Sequence, residues 1–276
     1  MLDQTVVIYC ICDEVAKCLK FKDDIQCKMY TPEVLTFAIL SAMLYGGNYK
    51  ITRLVSLSHG YFSKILSHSQ LVRRIHQIPE HVWLMVFGAL QILLRNKDNK
   101  CFIIDSFPVK AYENHKSFRA RIFSEKKFHG YIASKKQYFF GIKVHRIVDT
   151  DGIPIEFSFT PGSVSDIKGL ENLSLDLPEN SFLLGDRAYT DYDFEDKLKE
   201  IERIKLLAKR KRNSKRQHQL NDEVLLITYR NLIETVFSSI ISRMPRSIKA
   251  RTEKGFCLKV VFFILVYMIQ LYFPIS

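Results

Sequence analysis

The 276-residue chain has no apolar run of the roughly 20 residues that a bilayer-spanning helix needs. Its most apolar stretch, residues 260–273, is shorter, follows Lys259 and is interrupted by Gln270. It reads as a buried terminal helix rather than a membrane anchor. No secretory signal opens the chain, because Asp3 and Gln4 break any early apolar run. The expected setting is a reducing cytoplasm, in which the six cysteines stay as thiols. Cys10, Cys12, Cys18 and Cys27 are separated by one, five and eight residues with no histidine among them. That spacing fits no zinc pattern. The histidines, His115, His129 and His145 included, form no ligand cluster either. Acid is also scarce, with 29 Asp and Glu against 41 Lys and Arg. A net charge of +12 points to a polyanionic partner, either nucleic acid or an anionic membrane surface.

What is present is the composition of a folded globular protein, 47% hydrophobic and 25% charged. Residues 1–96 read as a helical N-terminal domain. Thr31-Pro32-Glu33 combines a cap, a first-turn proline and an acid at the positive end of a helix. Val34, Leu35, Ala38, Ile39, Ala42 and Met43 follow at helical spacing, and Gly46-Gly47 ends the run. Further helices are predicted over 50–57, 61–67, 69–77 and 80–96. Arg53, Lys64, Arg73 and Arg74 lie between their apolar positions. Two readings stay open here: a helix-turn-helix DNA reader using Arg73 and Arg74, or a plain helical packing domain with a solvated basic face.

The pattern changes after the polar break at 97–100, and residues 97–276 read as a second domain. Strands are predicted over 101–105, 138–148 and 153–160, with Asp151-Gly152 as the turn between the last two. Residues 110–136, long, polar and basic, read as a loop. A helix from Ser163–Asp166 to about Leu175 follows. Then come a strand over 182–185, a helix over 192–201, a strand over 204–208 and a long helix over 221–244. Three linked strands followed by α/β alternation is the order of a ribonuclease H-like core with a mixed five-stranded sheet. In that order the first and fourth strands are neighbours.

Three carboxylates then stand out. Asp105 ends the run Cys101-Phe-Ile-Ile, Asp186 ends Phe182-Leu-Leu-Gly, and Glu234 follows Arg230 by four residues on the long helix. Each has a plain structural reading: a strand-end cap for Asp105, one acid among Asp191, Asp193 and Asp196 for Asp186, and a surface ion pair for Glu234. Together they form the set of hard oxygen ligands that Mg2+ prefers. Two such ions can activate an attacking oxygen and stabilise a leaving one. The basic run Lys209-Arg210-Lys211-Arg212, with Lys215 and Arg216, follows the fifth strand. It reads as a phosphate-backbone contact, against a solvated basic loop.

Several segments carry a family resemblance. They are Asp105-Ser-Phe-Pro108, the stretch from Tyr131 to His145, Thr160-Pro-Gly-Ser-Val-Ser-Asp166, Gly185-Asp186-Arg-Ala-Tyr189 and Glu234-Thr-Val-Phe237. This ordered set resembles the DDE transposases of bacterial insertion sequences, most closely the insertion-sequence 982 family. The resemblance covers residues 100–245, with a weaker match over 31–80. It implies a catalytic and metal-binding triad of Asp105, Asp186 and Glu234, holding two Mg2+ ions that Mn2+ can replace. It also implies cutting at terminal inverted repeats and joining of the ends to target DNA, with double-stranded DNA as partner and at least a dimer on it. Related transposases carry a Tyr-x2-Arg-x3-Glu-x6-Lys signature. Arg230 and Glu234 fit it, but the tyrosine stands at 229 and Ile241 takes the lysine place, leaving Arg243 or Lys249 to substitute. The alternatives are another metal-dependent nuclease on the same core, a decayed DNA-binding relic, and a membrane-surface protein.

Overall fold

A computed structural model describes residues 2–96, 98–113, 121–132, 136–245 and 247–273, with the side chains of 2, 113 and 230–239 outside the description. In chain order the first five helices are α1 (Leu2–Cys18), α2 (Thr31–Tyr45), α3 (Tyr49–Ser58), α4 (His68–Gln77) and α5 (Glu80–Leu94). The strands β1 (Cys101–Glu113), β2 (His129–Ile132), β3 (Gln137–Asp149) and β4 (Pro154–Pro161) follow, then α6 (Asp166–Glu171) and β5 (Phe182–Gly185). The chain continues through α7 (Tyr192–Lys197), β6 (Lys205–Ala208), α8 (Leu220–Arg243) and α9 (Glu253–Tyr272). Two compact units result, residues 1–95 with 240–276, and residues 96–239.

In the helical unit α2 is buried on nearly every side, with Val34, Leu35, Phe37, Ala38 and Ile39 fully inaccessible. A helix apolar all round has to lie inside its unit. Its first residue is Thr31 rather than a residue after it. The Tyr30 N–H is satisfied by Glu33 at 2.7 Å, and Thr31 binds Asp23 through its backbone and hydroxyl. Gly46, at φ 56°, closes the helix by donating to the Ser41 carbonyl. The C-terminal α9, expected with the second domain, packs instead on α2 and α5, with Trp83 and Phe262 ring centroids 4.6 Å apart. The uncharged run 260–273 counted in the sequence is only part of α9. The whole helix, 20 residues long, is long and apolar enough to cross a membrane by length and composition, and 72% of that window is buried within the protein.

The helix expected over 61–67 is absent. Its backbone groups are taken by side chains, as Arg53 Nε donates to the Leu66 carbonyl at 2.7 Å. Ser67 is extended (ψ 160°) so that it can cap α4.

The second unit is a mixed α/β layer built on a six-stranded sheet, one strand more than expected. β1 pairs antiparallel with β3 and parallel with β5, which pairs parallel with β6. The other edge of β3 is shared: its first residues pair with β2 and the rest with β4. The order β4-β3-β1-β5-β6 is consistent with a ribonuclease H-like sheet. The added β2 falls inside the segment expected to be a loop. β1 also runs eight residues past Asp105, because β3 offers it a partner throughout. α6 is shorter than expected. Glu156 draws the Ser174 and Leu175 N–H groups onto its carboxylate, and Leu175 adopts φ 54°. Phe102, Ile104, Ile147, Leu170, Leu183 and Leu206 form the core beneath the sheet.

Candidate active site

The parallel pairing of β1 with β5 brings the two aspartates together. Ile103 lies opposite Leu184, the last paired residues, so Asp105 and Asp186 each stand two residues beyond the same rung. β5 ends at Gly185, and Asp186 turns the chain by accepting the Ala188 N–H at 2.8 Å. Asp105 is half-buried, and its Oδ1 accepts the Ser106 N–H at 2.7 Å. Burial pushes the Asp105 carboxyl up to about 7; neighbouring Asp186 and Asp166 add to the rise, while the Ser106 N–H and Arg146 oppose it. Asp186 opens to solvent, yet surrounding protein still raises its carboxyl, Asp166 adds to this, and the Ala188 N–H and Lys143 work against it. A group of like charges in partial burial is costly until a cation neutralises it.

Asp166, at the start of α6, is the carboxylate that sequence reading left without a role. It accepts from Ser106 Oγ at 2.6 Å and from Lys143 Nζ at 3.2 Å. Its signal was available in the stretch Thr160–Asp166, but an acid in a helix's first turn has an ordinary explanation. Glu234 lies on α8, and its side chain, like that of Arg230, falls outside the described residues. Among the described residues no group of three or more His, Cys, Asp or Glu is arranged to hold a metal ion. The two aspartates fit a hard divalent cation by chemistry, and a third ligand has to come from elsewhere.

A cavity of about 770 Å3 opens over the aspartates. Asp105 and Asp186 line it together with Lys209, Lys211 and Arg212 and with Glu223 of α8. The basic run divides into two groups. Lys209, Lys211, Arg212 and Lys215 are exposed. Arg210 is buried in a bidentate pair with Glu195, one arm at 2.7 Å, and Arg216 binds both oxygens of Asp196 at 2.8 Å. Both guanidinium groups lie over the Tyr192 ring, at 5.0 and 4.9 Å. They staple the loop to α7 and are committed to protein partners. In the helical unit Arg73 is exposed, while Arg74 is tied to Asp23 and Thr31.

Adjacent aspartates, Asp105 within β1 and Asp186 just past the end of the parallel β5, in a mixed sheet with helices, define a mixed α/β protein consistent with the ribonuclease H-like class. Residues 96–269 match the family described as Transposase DDE domain, and the chain belongs to that family. A transposase domain implies DNA as substrate. No protein of curated function matches the chain.

Proposed function

We propose that the protein is an insertion-sequence transposase, closest to the 982 family, that cuts DNA at terminal inverted repeats and joins the 3′ ends to target DNA. The observation that carries this reading is the apposition of Asp105 and Asp186 under a basic-walled cavity. Asp105, Asp186 and Glu234 would hold Mg2+, with Glu234 reached along α8. When bound, the ions supply charge stabilisation to the phosphodiester undergoing in-line displacement. The protein's own part is placement. The paired backbone of β1 and the end of β5 fix the two aspartates, and Lys209, Lys211, Arg212 and Lys215 hold the phosphate backbone alongside. Arg230, one turn before Glu234, would orient it or contact phosphate, and Arg73 supports a DNA contact by the helical unit. Two ends have to be held together, so the working form on DNA is a dimer or larger.

The test is strand transfer of a pre-cut duplex end into plasmid DNA in Mg2+. Joined product from wild type and none from Asp105→Ala, at unchanged DNA binding, supports the transposase reading. Cleavage without joining assigns the core to a nuclease.

A further inference from the structure

The geometry points to Asp166 as a positioning residue for Asp105, acting through Ser106. This rests on the reading of Asp105 and Asp186 as the metal-holding aspartates. Ser106 is the pivot. Its backbone N–H donates to Asp105 Oδ1 at 2.7 Å, and its hydroxyl donates to Asp166 Oδ1 at 2.6 Å. With that hydroxyl hydrogen committed, Asp166 fixes the Ser106 side chain and adds to the β3 pairing that holds the backbone whose N–H binds Asp105. The Tyr189 hydroxyl, fully buried, lies near Ser106 without completing a well-formed hydrogen bond.

Asp166 is itself held from several directions. Lys143 Nζ bridges its Oδ1 at 3.2 Å and the Val164 carbonyl at 2.9 Å. α6 is seated on the His145 imidazole through Gly169, where a Cβ would come within 2.1 Å of the ring. That imidazole is pinned in turn by Thr160 Oγ1 at 2.7 Å from Nε2. A first-turn acid that served only the helix dipole would need none of this. The chain Lys143–Asp166–Ser106–Asp105 instead links two strands of the sheet, β3 and β1, and α6 to one carboxylate oxygen. Partners that orient a metal-binding carboxylate typically contribute about 10–100-fold in metal affinity.

The experiment is a Mn2+ titration of the full chain, followed by electron paramagnetic resonance, beside the Mg2+ dependence of cleavage. Ser106→Ala and Asp166→Ala should each weaken Mn2+ binding by about tenfold or more. Ser106→Thr, which keeps the hydroxyl, should bind as wild type does. The double variant should be no worse than the weaker single, because both changes break one chain. Wild-type affinity in Asp166→Ala, or losses that simply add, would overturn the proposal. Should Asp166→Ala fail to fold, the contrast of Ser106→Ala with Ser106→Thr decides alone. Asp105→Asn separates the two layers of inference. If it binds Mn2+ as wild type does, the metal reading fails and the positioning role falls with it.

Discussion

At Asp105 burial, Asp186 and Asp166 disfavour the carboxylate, while the Ser106 N–H and Arg146 favour it. The folded, metal-free protein therefore keeps the Asp105 proton up to about pH 7, whereas an unfolded chain releases it near 4. Between those values the native state binds more protons, so the Asp105 contribution to stability falls as pH rises from about 4 to about 7. Asp105→Asn should remove that fall. Urea unfolding from pH 4 to pH 8 should show the variant gaining on wild type across this window. Parallel profiles would contradict the assignment. Both aspartates stood out in the sequence because each follows a short apolar run; Asp186 does follow the end of β5, whereas β1 continues past Asp105 to Glu113. Asp166 did not stand out, since its role depends on a contact with Ser106, sixty residues away.

At the scale of elements, the loop after β6 separates two kinds of basic residue that look alike in sequence. Arg210→Ala leaves Glu195 buried without its partner and should cost about 3–5 kcal/mol of stability. Lys211→Ala should leave the melting temperature alone and lower the salt slope of DNA binding by about one. Thermal unfolding and binding across a salt series check both, and a reversed pattern would show that the run works as one solvated patch. β3 and β4 were legible from alternation and the Asp151-Gly152 turn. The far half of β1 was hidden by Pro108, which argues against a central strand. Beyond Ile103, however, β1 has no β5 rung beside it and is an edge, where proline is tolerated. β2 was hidden by its brevity: four residues between basic flanks form a strand only because β3 pairs with them.

For the whole molecule, a charge of +12 and an acid pair beside exposed lysines and arginines in one cavity fit the proposed action on DNA, a polyanion. The α/β alternation after residue 100 carried the sheet order in the sequence, because short strands and helices leave distinct periods. The division into units was less legible. Local periodicity marks α9 as a buried helix but says nothing of its partners, which are α2 and α5, more than 150 residues earlier. The third carboxylate is the part of the proposed site with most at stake. The most direct test is Mg2+-dependent cleavage of a labelled duplex carrying the element's terminal inverted repeat, comparing wild type with Asp105→Ala and Glu234→Gln. Cutting at the repeat end by wild type alone is the predicted result; equal cutting by Asp105→Ala would contradict the account at its centre, and equal cutting by Glu234→Gln would remove Glu234 from the site.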